Sequence, residues 1–202
     1  MEEADEGRED CYDSRMNPSE SHTHSVSAGK LIGALILGWY FISYAFGDPS
    51  HALENWNFID NVDLVIHEAG HFIFMFFGQF LQVLGGSFLQ VILPAIFTGY
   101  FFVRRQYFSG SIVAFWVGQN IINVATYLGD AVRQQLPLLG GDSVMHDWNY
   151  LLSQMNLLNY TDSIASFVHG SGVIVIIAAA ISSIFFSLSD ERRQAVLNFF
   201  KK

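Results

Sequence analysis

LIGALILGWYFISYAFG, residues 31–47, contains no charged residue, with Lys30 before it and Asp48 after it. A bilayer core is crossed by about 20 apolar residues in a helix, so this run reads as a membrane span. Upstream, residues 1–28 are polar and carry Glu2, Glu3, Asp5, Glu6, Glu9, Asp10, Asp13 and Glu20. A segment of this composition buries too little apolar surface to offset its ordering entropy, and disorder is expected for it. It is also acidic where a secretory signal would be basic.

Downstream, residues 49–61 are polar, with Trp56 and Phe58 suited to an interface. Further apolar stretches cover residues 62–84, 87–103, 111–131 and 164–188. Gly85-Gly86 separates the first two of these, Arg104-Arg105 closes the second, and a polar loop fills 132–162. The whole chain is 51% hydrophobic and 14% charged, against about a quarter charged in ordinary soluble domains. The expected fold is therefore an all-α, polytopic membrane helix bundle of about four to six apolar segments. It would comprise an acidic tail (1–28), a transmembrane domain (29–190) and a short charged end (191–202).

Basic residues favour the cytoplasmic side, which puts Lys30, Arg104-Arg105 and Arg192, Arg193, Lys201 and Lys202 together. That requires an odd number of crossings between Asp48 and Arg104, where two apolar segments lie. Either one segment is re-entrant around Gly85-Gly86 or the arginine pair departs from the charge rule. The net charge of -9 and the lack of a basic stripe exclude nucleic acid as a partner. The one cysteine, Cys11, cannot form an internal disulfide.

His67-Glu68-Ala69-Gly70-His71 carries the chemistry. Residues four apart lie on one helix face, so both imidazoles can reach one ion. Imidazole suits zinc, and two such ligands leave room for a third ligand and a water. Glu68 is placed to take a proton from that water. Ionisable groups inside an apolar stretch are expensive and mark function. The competing reading makes them interfacial polar residues near a helix end. Asp63 reads either as an outer-shell carboxylate for His67 or as a helix N-terminal charge. Two residues stand as alternatives for the third ligand. Asp130 ends the fourth apolar segment, and His146 follows Gly140-Gly141-Asp142, with Asp142 or Asp147 behind it.

On these residues the chain resembles the site-2 protease family of intramembrane zinc metalloproteases. HEAGH lies in an apolar helix, Gly85-Gly86 leads into Ser87 and Gln90, and Asn123 precedes Asp130 at about the spacing of the family's Asn and ligand Asp. The resemblance covers roughly residues 60–148. It implies a zinc enzyme cutting peptide bonds of membrane-protein or peptide substrates in or near the bilayer. His67 and His71 would be ligands, Glu68 the base, and Asn123 an aid to substrate or oxyanion. The family's later motif reads Asp-Gly, whereas Asp130 is followed by Ala131. A zinc hydrolase acting on lipid or amide bonds, and a scaffold or chaperone keeping the fold without catalysis, are the other readings.

Overall fold

A computed structural model gives the fold and describes residues 18–47, 58–136, 145–188 and 198. Among these the chain is helical without strands: α1 (Pro18–Ala45), α2 (Phe58–Phe74), α3 (Gln79–Val103), α4 (Tyr107–Gly129), α5 (Asp147–Gln154) and α6 (Thr161–Ser187). Two 3₁₀ turns, Met75–Phe77 and Leu158–Tyr160, join α2 to α3 and α5 to α6. Four helices are long and apolar enough to cross a membrane: α1 from Ala28, α3, α4 and α6.

α1 begins earlier than composition suggests. Residues 18–28 of the segment expected to be disordered are its first turns, and Pro18 opens it, where proline's fixed φ suits a helix start. Residues 1–17, most of the 191–202 end and the Gly140-Gly141-Asp142 run lie outside the described residues.

α4 is the central column. Phe41 and Ala45 of α1, Phe115 and Ile122 of α4, and Ile176, Ala179 and Ala180 of α6 form one buried cluster. α4 and α6 come close at Gly118 and Gly172. A Cβ on Gly118 would stand 2.6 Å from Ile176, and one on Gly172 equally close to Ile122. Between helices in lipid, where apolar surface gives little driving force, such approach is what supplies van der Waals contact.

Three contacts mark one end of the bundle. Lys30 lies 5.5 Å from the Phe108 ring, Tyr107 stacks on Phe186 at 5.0 Å, and Arg104-Arg105 occupy the turn between α3 and α4. α1 and α4 therefore leave this end, and α3 and α6 return to it. α5 sits at the other end, where Leu128, Ala131 and Leu152 form a second cluster.

α3 runs unbroken through Gly85-Gly86 and Pro94. Glycine and proline are tolerated inside membrane helices whose neighbours satisfy the freed backbone groups, so the glycine pair is no re-entrant break. The long helix outside that set of four is α2. Its 17 residues extend about 26 Å, and its buried face is Asp60, Asp63, His67 and Gly70. Removing α2 from the crossings gives the odd number that the charge rule requires.

Candidate metal centre

α2 and α3 pack antiparallel, and glycine makes the contact possible. A Cβ on Gly70 would collide with the Gly85 carbonyl, and one on Gly85 would stand 2.7 Å from Phe74 Cβ. This approach lays the His67 and His71 rings against α3, where each gains a partner. His67 Nδ1 donates to Gln90 Oε1 at 3.0 Å, and His71 Nδ1 donates to the Gln82 carbonyl at 2.9 Å. Gln90 is itself oriented, because its Nε2 donates to Asn123 Oδ1 at 2.9 Å.

These partners fix the tautomers. Both accept, so each Nδ1 carries a hydrogen, and each Nε2 presents a lone pair whenever its ring is neutral. Both Nε2 atoms nonetheless face one oxygen, Asp147 Oδ2, at 3.0 Å from His67 and 3.1 Å from His71. Three electron-rich atoms meeting in this way require a cation between them, whether protons or a metal. The three donor atoms lie within 4.8 Å of one another. Around a tetrahedral zinc with ligands near 2.0–2.1 Å, donors stand about 3.3 Å apart. The Gly86 backbone walls this space, since a Cβ there would stand 2.7 Å from both Nε2 atoms.

Asp147 is the first residue of α5, and several contacts hold it in place. His146 caps the helix, its Nδ1 accepting the Asn149 N–H at 3.3 Å. Trp148 Nε1 donates to Ser87 Oγ at 3.1 Å, and Asn149 Nδ2 donates to the Ala131 carbonyl at 2.8 Å. The Asp147 N–H donates to the Tyr127 hydroxyl at 3.2 Å. Burial works to raise the Asp147 carboxyl, but hydrogen bonds from His67 and His71 outweigh it and hold the group below the usual carboxylate range.

The structure joins His67 and His71 but closes the group with Asp147 rather than with either expected third ligand. Asp130 accepts the Gln135 and Leu136 N–H groups, each at 2.9 Å, which shapes the chain leaving α4. His146 points away from the triad, its Nε2 3.5 Å from Asp130 Oδ2. Burial lowers the His146 pKa, against the opposing pull of Asp130 and Asp147. Glu68 is exposed on α2, and its charge acts on His71 and Tyr127. Asn123 sits behind Gln90, so it reaches the centre through Gln90 and His67. Sequence spacing could not single out Asp147, because an acidic residue opening a short helix is common. Comparison with family models, curated proteins and solved structures yields no match for this chain.

Proposed function

We propose that this chain is a multi-pass membrane zinc hydrolase that cleaves peptide bonds of membrane-embedded or membrane-proximal substrates. The observation that carries this reading is the convergence of two tautomer-fixed imidazole nitrogens on the Asp147 carboxylate. His67, His71 and Asp147 would hold the ion, and a catalytic zinc keeps its fourth position for water. Bound there, zinc brings the pKa of water towards about 7 and polarises a substrate carbonyl.

The remaining work falls to this chain's own groups. Glu68, one residue from His67 and exposed, accepts the proton from the attacking water and passes it to the leaving amine. Gln90 and the Gln82 carbonyl keep both rings in the ligating tautomer. Asn123 keeps Gln90 in place.

The wider reading, a zinc hydrolase acting on lipid or amide bonds, draws on the origin of Asp147. This carboxylate comes from a short helix after the polar loop, not from a membrane span with an Asp-Gly motif. Metal analysis of purified protein tests the site. One zinc per chain is expected in wild type and none in His67→Ala or Asp147→Ala. Glu68→Gln should keep the zinc and lose hydrolysis of a membrane-peptide library. A folded wild type without stoichiometric metal would end this reading, and lipid products in place of peptides would favour the wider one.

A further inference from the structure

One to two turns before His67, α2 carries a second buried polar group that the metal centre does not use. Asp63 is 1% exposed and Asn120, facing it from α4, is 0% exposed. The donors of this cluster are committed elsewhere. Trp116 Nε1 donates to Asp63 Oδ1 at 2.8 Å, and Gln119 Nε2 donates to Asp60 Oδ1 at 3.0 Å. Asn120 Nδ2 donates to the Trp116 carbonyl at 2.9 Å and to Gln119 Oε1 at 3.2 Å. Two oxygens remain without a hydrogen-bond partner, Asp63 Oδ2 and Asn120 Oδ1. Both accept only, so the cluster is short of one donor.

We propose that this cluster is a proton-binding site in which Asp63 is held as the neutral acid, its Oδ2–H donated to Asn120 Oδ1. The Asn120 amide lies beside the Asp63 carboxyl, where an N–H would favour the charged form, but both of its hydrogens go to the Trp116 carbonyl and Gln119 Oε1. Among the described residues no positive charge acts on the Asp63 carboxyl. Among the described residues the ionisable groups that act on it are Tyr44 from α1 and Asp60 from α2, with Tyr40 beside Asp60 and His67 one turn further along α2. The tyrosines are neutral at physiological pH, Asp60 is another acid, and both His67 ring nitrogens are already engaged. A carboxylate buried here without a counter-charge would be costly to desolvate, and a second acid nearby adds to that cost. A metal cation fits less well. Hard cations take about six or more oxygens, whereas Asp60 Oδ1, Asp63 Oδ1 and Gln119 Oε1 already accept N–H bonds.

The test is infrared spectroscopy of the full chain in lipid nanodiscs at neutral pH. Wild type should show a carboxylic-acid C=O band that shifts in D₂O, is lost in Asp63→Asn and is kept in Asp60→Asn. Thermal melting gives an independent reading, because asparagine reproduces both an accepting oxygen and a donor. At or below about pH 4, where the unfolded acid is also protonated, Asp63→Asn should melt with wild type, and Asp63→Ala, which strands Trp116 and Asn120, should melt lower. Wild-type melting should also fall as pH rises above about 4, since the unfolded acid ionises there while the folded one keeps its proton. Asp63→Asn should abolish that component. The absence of the band, its loss in Asp60→Asn alone, or an Asp63→Asn chain that melts far below wild type would each overturn the proposal. A Na⁺-dependent rise in wild-type melting that Asp63→Asn removes would overturn it in favour of a metal cation.

Discussion

At the scale of single residues, the centre is defined as much by what stands behind the histidines as by the histidines. Gln90 removes the freedom of His67 to turn its protonated nitrogen towards Asp147. Outer-shell partners of this kind are worth about 10–100-fold in metal affinity. Gln90→Ala should therefore weaken zinc binding by about that factor in a chelator competition titration, while Glu68→Gln leaves it near wild type. Asp130→Asn separates one expected third ligand from Asp147. Asp130 shapes the backbone after α4 without reaching the triad. Its variant should keep one zinc per chain and melt lower, whereas Asp147→Asn should lose stoichiometric metal. Equal metal loss in both would reject the assignment of Asp147. Acidification should also release the metal. Imidazole must be neutral to ligate, and its ordinary pKa is about 6.5. Asp147 is held low enough to stay ionised through that range. Burial works to lower His71, but hydrogen bonds to Asp147 and the Gln82 carbonyl raise it to about 8. Zinc affinity measured against pH should thus begin to fall below that value, reporting imidazole protonation rather than the carboxylate.

At the scale of elements, small residues decide where helices meet. A bulky side chain at Gly118 would collide with α6 at Ile176 and at the Gly172 carbonyl. Overpacking in a well-filled core costs about 1–3 kcal/mol, so Gly118→Leu should lower the melting temperature, with Gly33→Leu as the neutral control. Nothing lies within 4 Å of a Cβ at Gly33. The same logic separates what could be read in the sequence from what could not. Long uncharged runs announced α1, α3, α4 and α6, because lipid imposes its length on any helix that crosses it. HEAGH announced two converging imidazoles, because four residues make about one turn. Gly85-Gly86 misled, since in isolation a glycine pair signals a break, whereas here it is the surface against which α2 seats His67 and His71. Asp147 was named only as a residue behind His146. Its place depends on contacts from Trp148, Asn149 and Tyr127 to helices distant in sequence, and such packing leaves no local pattern.

At the scale of the whole molecule, the outward faces are apolar. Ile32, Leu35, Ile36 and Trp39 of α1 and Phe167, Ile174 and Ile181 of α6 are exposed. Surface of this extent on a soluble monomer would be an aggregation hazard, and against lipid tails it is the expected solvent-facing side. The described basic residues are unequally shared between the two ends. Lys30, Arg104 and Arg105 lie at one end, and Arg133, paired with Asp162 at 3.3 Å, lies at the other. The charge rule assigns the first end to the cytoplasm, which turns α5 and the His67–His71–Asp147 group towards the opposite face. Thiol labelling tests this directly, because the natural chain has only Cys11 to remove. In a Cys11→Ser background, Gln106 lies in the turn between α3 and α4 and Gln135 follows α4, both exposed. In sealed membrane vesicles of known orientation, a membrane-impermeant thiol reagent should reach Gln135→Cys from the non-cytoplasmic face and Gln106→Cys only from the cytoplasmic one. The reverse pattern would invert the bundle and give the centre a cytoplasmic source of metal and water. The expected pattern places the His67–His71–Asp147 group on the non-cytoplasmic side, near the end of α4, where Glu68 is exposed.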